Sequence, residues 1–409
     1  MKKYAKHYPI LLLLGAGLLV RFFAFGFIDF MFENDVRTFQ IWGTQLATGG
    51  LSAFYTSGMW SDYPPGYLYV LALIGVLRGI FEWELLSPML NFFTFLPAIL
   101  ADVGIGYIVY TLTTKRSRFI FAALWLFNPA IIFISAVWGQ VESVFLLPLL
   151  ISLVLLRQGK LLTAYILYGV AILIKPQSLF MGPIYLFSAF DYWRLQGFAT
   201  VELKRLVLYI SAAGLGMLSL AFPFTQGFNY MPVFRQFIGG LDAYNFGSVN
   251  AFNLWALAGF NWVSLEATAL GLSLSVWGVV IAVAIIALIF MALEIDKKRG
   301  NHFYWLIVAA VFVLIFVFSV KMHERYLFPA LLFLLLHAME RPRLDSFILY
   351  GLASITFFLN CFAVLRVYHA GWDFALLTPF IVPVSIANIV LAVGLIFTFI
   401  WGMFQCPKK

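Results

Sequence analysis

Apolar runs of about 20 residues recur from one end of the chain to the other, each long enough for the hydrocarbon core of a bilayer. Short Lys and Arg clusters separate many of them. Within lipid every backbone amide must find its partner inside the protein, so segments this continuous are restricted to helices. The strict alternation of an outer-membrane barrel is absent. Only 11% of the 409 residues are charged, against roughly 25% in a soluble domain. The reading is an all-α, polytopic membrane protein of about 12 to 13 transmembrane helices, organised as one integral-membrane domain over residues 1–409.

The net charge of +8 is a topology signal, because the cations cluster between apolar segments and form no nucleic-acid surface. The clusters are Lys2, Lys3 and Lys6; Lys115, Arg116 and Arg118; Arg157 and Lys160; Arg194, Lys204 and Arg205; Lys297, Lys298 and Arg299; Arg341 and Arg343; and Lys408 and Lys409. Spans near 9–30, 88–113, 118–137, 142–157, 161–174, 178–190, 206–223, 269–293, 303–320, 327–339, 346–366 and 379–402 put every cluster in the cytoplasm, with both termini inside. The N-terminal run reads as a retained first span, since it continues to Phe30 with no clear small-residue cleavage site. Residues 31–87 then form a first outer loop, residues 225–268 a second. The apolar stretch 65–80 must be a re-entrant or interfacial helix, because a further crossing there would expel Lys115, Arg116 and Arg118. Cys361 and Cys406 fall far apart along the membrane normal, which predicts neither a disulfide framework nor a Cys metal site.

At about 1.5 Å per residue, segments 142–157, 161–174, 178–190 and 327–339 fall short of a core about 30 Å thick. Their outer ends sink below the surface and carry Glu142, Lys175, Gln177, His323, Glu324 and Arg325. Ionisable groups at such depth are functional candidates, and irregular backbone there must line a cavity. The expectation is a polar cavity open to the outer leaflet, beside the loop that carries Asp35 and Asp62.

Each candidate has a structural and a chemical reading. Asp35 precedes Val36, Phe39, Trp42 and Leu46, one apolar face of a helix lying on the membrane. Asn34 or Asp35 caps that helix, or Asp35 is a general base. Asp62 and Tyr63 precede Pro64 and Pro65, a turn before a helix or a stiffened mount that aims the carboxylate. In VWGQVES, Trp138 anchors at an interface and Gly139 breaks the chain, while Gln140, Glu142 and Ser143 open the next helix, as structure or as site. Lys175 before Pro176 either snorkels or meets a lipid-linked phosphate. The run KMHERYLFP is either an interface anchor or an anion clamp in which Arg325 binds phosphate bidentately. Arg235, Asn250, Asn253 and Trp255 read as a solvated loop. No nucleotide-binding loop, dinucleotide fingerprint or zinc spacing occurs, which points to a substrate delivered within the membrane. No cofactor is required, and no spacing demands a divalent metal ion, although three clustered carboxylates have the chemistry to hold one.

Taken together, DVRTFQIWGTQLATGGLSAFY, SDYPPGYLY, NPAIIFISAVWGQVES, IKPQSLF, FPFTQGF, NAFNLWAL and KMHERYLFP resemble bacterial members of the glycosyltransferase C superfamily. The similarity covers most of the chain and is nearest to mannosyltransferase-like proteins related to the glucosyltransferases that extend the eukaryotic N-glycan precursor. The resemblance implies the fold of that superfamily and an inverting hexosyltransferase of the cell membrane. It would use a polyprenyl-phosphate sugar and an extracytoplasmic glycan, lipid or protein acceptor, with no nucleic acid as partner. It assigns the base to Asp35, the D-Y-P-P motif to Asp62 to Pro65, the K-P-Q motif to Lys175 to Gln177, and the H-E-[KR] motif to His323 to Arg325. The chain departs from the family where W-G-Q is often followed by Asp, since Glu142 stands here. A transporter or flippase of a lipid-linked sugar is the rival reading, and a non-catalytic assembly protein a third.

Overall fold

A computed structural model of the chain describes residues 8–115, 117–300 and 302–405. Lys2, Lys3, Lys6, Arg116, Cys406, Lys408 and Lys409 lie outside the described residues. The α-helices along the chain are α1 (Tyr8–Phe25), α2 (Glu33–Gly49), α3 (Pro65–Phe81), α4 (Pro88–Thr111), α5 (Arg118–Leu126), α6 (Pro129–Ile132), α7 (Glu142–Arg157), α8 (Leu161–Ile174) and α9 (Gly182–Leu195). They continue with α10 (Thr200–Ala221), α11 (Met231–Asp242), α12 (Leu254–Leu257), α13 (Leu274–Arg299), α14 (Tyr304–Phe318), α15 (Phe328–Glu340), α16 (Leu344–His369) and α17 (Thr378–Gln405). Among the described residues, strand is confined to two-residue pairs. This is a helical membrane protein. Among the described residues, five helices, α4, α10, α13, α16 and α17 with their extensions, have the length and apolarity to cross a bilayer, or six if a bent pair is one span.

That bent pair covers the segment 118–137, expected as one span. The helix breaks between Leu126 and Pro129 with a 44° bend. Pro129 lacks an N–H and takes the first helical position, where none is needed, and the Asn128 side chain accepts from Ala130 N at 2.9 Å to cap the new start. The segment then widens into a π-helical turn over Phe133–Trp138.

The chain divides into two compact units. Unit 1 comprises Met1–Gly17, Gly106–Ile134 and Tyr244–Lys409; unit 2 comprises Leu18–Ile105 and Ser135–Ala243. In unit 1, α14 and α15 are apolar all round and almost wholly buried, as such helices must be.

In unit 2, α2 and α3 pack side by side in the same direction, Phe39 against Tyr67 at one end and Thr44 against Arg78 at the other, and glycine sets the seam. A Cβ on Gly75 would lie 1.9 Å from the Gly43 carbonyl oxygen, and one on Gly43 2.5 Å from the Leu71 oxygen. Only glycine lets these backbones touch. Around the crossing, Phe39, Trp42, Leu46, Tyr67, Leu68 and Leu71 form a buried cluster. The start of α3 meets the end of α8 in the same way: a Cβ on Gly66 would fall 2.6 Å from the Leu173 carbonyl.

Candidate functional site

Unit 2 gathers Asp35, Gln140, Glu142 and Lys175. Helix α2 begins with Phe32 at the N-cap position and no side-chain cap, so neither Asn34 nor Asp35 has the capping role. Asp35 instead stands in the first turn, half-buried, with its carboxylate accepting a hydrogen bond from Gln140 Nε2. Phe32 stacks on Trp138 with ring centroids 5.5 Å apart, which brings the start of α2 to the Trp138–Gln140 turn.

The turn depends on Gly139. Its φ of 87° is left-handed, and a Cβ there would sit 2.6 Å from the Phe95 ring. Gln140 is thereby placed between the π-helical turn and α7, where its amide is 1% exposed. Glu142 opens α7 and is fully buried, its Oε1 2.5 Å from Lys175 Nζ. Lys175 reaches it because Pro176 ends α8 and leaves Lys175 extended, at φ −150° and ψ 126°. The lysine does not snorkel: its side chain is 9% exposed. Gln177 follows in a 3-10 turn, with its Nε2 buried and unpartnered among the described residues; the Tyr67 hydroxyl is likewise unpartnered. Tyr67 belongs to the cluster that contains Val141 and Ile174, the neighbours of Glu142 and Lys175.

Asp62 is half-buried on the turn before α3. Trp42 Nε1 donates to the Trp60 carbonyl at 2.9 Å, and the Tyr55 hydroxyl donates to the Tyr63 carbonyl at 2.9 Å, fixing this turn on both sides. Burial pushes the Tyr55 phenol well above its ordinary pKa, which keeps it a donor. The Tyr63 ring packs on Phe39, Trp42 and Tyr67 with centroids 5.5 to 5.9 Å apart.

A second polar cluster in unit 2 escaped the sequence reading. Arg21 of α1 and Asp102 of α4 form a fully buried ion pair, Nε to Oδ2 at 2.8 Å. Ser135 Oγ donates to Asp102 Oδ2 at 2.6 Å, and Ser143 Oγ to Oδ1. Asp102 therefore holds the chain on both sides of the turn that presents Gln140. The signal was available: one charge inside each of two apolar helices is itself a functional pointer.

His323, Glu324 and Arg325 belong to unit 1. Residues Met322–His323 pair in parallel with Ser248–Val249, and Asn250 bridges to His323. The His323 ring meets Tyr244 edge-on at 4.5 Å, and Arg325 Nε lies 3.5 Å from Glu324 Oε1. The outer loop before it is not a solvated one: Asn250, Asn253 and Trp255 are buried, while Arg235 is exposed on α11. Asn250 has a left-handed φ of 58° and accepts at Oδ1 from Trp262 Nε1 at 2.8 Å. Asn360 of α16 clamps the next residues, donating to the Asn250 carbonyl at 2.7 Å and accepting from Phe252 N at 2.8 Å. Asn388 of α17 donates to the Phe252 carbonyl at 2.8 Å. Both clamping asparagines are fully buried, and the sequence reading passed over them.

Among the described residues, no three His, Cys, Asp or Glu side chains are grouped so as to hold a metal ion. No family model matches the chain, and no curated protein matches its sequence.

Proposed function

We propose that this chain is an inverting hexosyltransferase of glycosyltransferase C type that uses a polyprenyl-phosphate sugar. The observation that carries the reading is the Asp35 carboxylate, oriented by Gln140 at the first turn of α2 beside the buried Lys175–Glu142 pair. In the proposed reaction Asp35 takes the proton of an acceptor hydroxyl. The acceptor oxygen forms a bond to the anomeric carbon while the bond from that carbon to the phosphate oxygen breaks, and the lipid phosphate leaves with the electron pair. Phosphate is a good leaving group, so no acid is needed; cations that meet its growing charge are. Glu142 shares Lys175, so the lysine offers a ligand anion less than a full charge. The resemblance gives the phosphate role also to His323 and Arg325, carried by unit 1.

Two further observations support a polar ligand at the Lys175 region. The Gln177 amide and the Tyr67 hydroxyl are buried donors without partners among the described residues. A buried donor left unmade costs roughly 1–3 kcal/mol, which a sugar or phosphate oxygen would relieve. The same reading assigns about twelve crossings, both termini to the cytoplasm and the site to the outer side. Beyond the long spans, shorter helices such as α8, about 21 Å in length, would supply the remaining crossings.

The test is transfer by the purified protein from a panel of radiolabelled polyprenyl-phosphate sugars, with Asp35→Asn as the control. One sugar should be consumed by the wild type, and the variant should fall about 10²–10⁴-fold, the span of general base catalysis. Undiminished transfer by Asp35→Asn would remove the assignment of the base; consumption of no sugar would remove the reading itself.

A further inference from the structure

Helix α11 carries two opposed faces. Met231, Phe234 and Ile238 follow one another at helical spacing and are 53%, 51% and 58% exposed; Phe228, just before the helix, is 87% exposed. On the other side Val233 is buried in the cluster that includes Phe54, and Gly240 packs on the Asp62 turn, where a Cβ would lie 3.1 Å from the Asp62 carbonyl. An exposed apolar row of this kind needs an apolar partner.

The partner is indicated by what the row continues. Helix α10 with its 3-10 extension, Thr200–Phe224, is a candidate span, and only 11% of its apolar window is buried within the protein. Phe222, at its end, packs against Phe228 with centroids 5.5 Å apart, joining its apolar surface to the α11 row. Depth follows from a hydrogen bond: the Tyr230 hydroxyl donates to the Leu218 carbonyl at 3.2 Å, so α11 starts level with the last turn of that helix. Arg235, on the flank of the row, is exposed, and a guanidinium beside an apolar row suits the polar boundary of a lipid surface.

We propose that α11 is an interfacial helix, with the Phe228, Met231, Phe234 and Ile238 face inserted among lipid acyl chains at the surface where α10 ends. The bilayer then braces, through α11, the turn that carries Asp62. This inference goes beyond the proposed reaction and holds for any chemistry the chain performs.

Site-directed spin labelling tests it on the full chain in phosphatidylcholine and phosphatidylglycerol vesicles. Nitroxides are placed singly at Phe234→Cys, Ile238→Cys, Arg235→Cys and, as a lipid-facing reference on α10, Leu215→Cys, all with Cys406→Ser. Collision with oxygen, which partitions into lipid, is compared with collision with a water-soluble nickel chelate. Positions 234 and 238 should show an oxygen-to-nickel ratio matching position 215 and several-fold above position 235. A ratio at 234 and 238 equal to that at 235 would place the helix in water, and protection from both reagents would place it under protein; either overturns the proposal. Phe234→Asp gives a second measurement, expected to raise nickel accessibility at 238 if the helix inserts and to leave it unchanged if it does not.

Discussion

The Arg21–Asp102 pair supports a quantitative prediction. Asp102→Asn keeps the side-chain volume and one of the two oxygens that accept from Ser135 and Ser143, yet it removes the carboxylate charge that faces the Arg21 guanidinium in a fully buried place. Truncating one partner of a buried ion pair costs about 3–5 kcal/mol. A charged residue at the centre of a membrane helix costs about 2.5–3.5 kcal/mol on insertion scales. The two ranges meet near 3 kcal/mol. Removing both charges, in Arg21→Met with Asp102→Asn, takes away the cation as well and should recover all but about 1 kcal/mol. At about 2–4 °C per kcal/mol for a domain the size of unit 2, the single variant should melt about 6–12 °C below wild type and the double within about 4 °C. Intrinsic-fluorescence melting in mild detergent and in nanodiscs measures this. A single variant as stable as wild type, or a double no better than the single, would refute the charge-pairing argument.

Four further outcomes follow from the geometry. Gly139→Ala forces a Cβ onto the Phe95 ring and onto a left-handed backbone, with a strain of about 1–3 kcal/mol; under the proposed reaction it should lower turnover more than stability, read by comparing initial rates with melting. Asn360→Leu removes two hydrogen bonds to buried backbone at a cost of about 2–4 kcal/mol, and hydrogen exchange at the Phe252 amide should rise by orders of magnitude while that of α13 does not change. Gly75→Leu meets the Gly43 carbonyl and should abolish a monodisperse peak on gel filtration. Glu142→Gln leaves Lys175 buried without its counter-charge and should cost more stability than Glu142→Gln with Lys175→Met, in melting of the two purified variants.

Local patterns made much of the fold readable. Segments 142–157 and 161–174 are helices with those bounds, because Gly139 and Lys175–Pro176 interrupt the apolar pattern near the polar ends. The face of α2 from Val36 to Leu46 is the buried one, as its spacing demands. The break at Asn128–Pro129 was written in the same alphabet, an N-cap residue before an N1 proline, and was overlooked because the hydropathy runs through it. What local reading cannot reach is pairing across the chain. Arg21 and Asp102 lie 81 residues apart, and Asn360 grips a loop 108 and 110 residues before it. Such contacts depend on which helices pack, and each partner alone looks like an isolated blemish in an apolar run. Lys175 and Glu142 were both singled out, but their attachment to each other was not, since the motif spacing carries no information about the seam between α7 and α8.

The touch of Gly43 on Gly75 has a mechanical corollary. Two helices whose backbones meet with no side chain between them have little freedom to slide, since any shift drives a carbonyl into a Cα. Asp35 rides at the head of one helix, and Asp62 stands three residues ahead of the other. Because the two helices run in the same direction, both carboxylates stand at the same end of one rigid pair. Under the proposed reaction, a bound sugar would therefore move Asp35 and Asp62 together, and the spacing of the two carboxylates would not adapt to it.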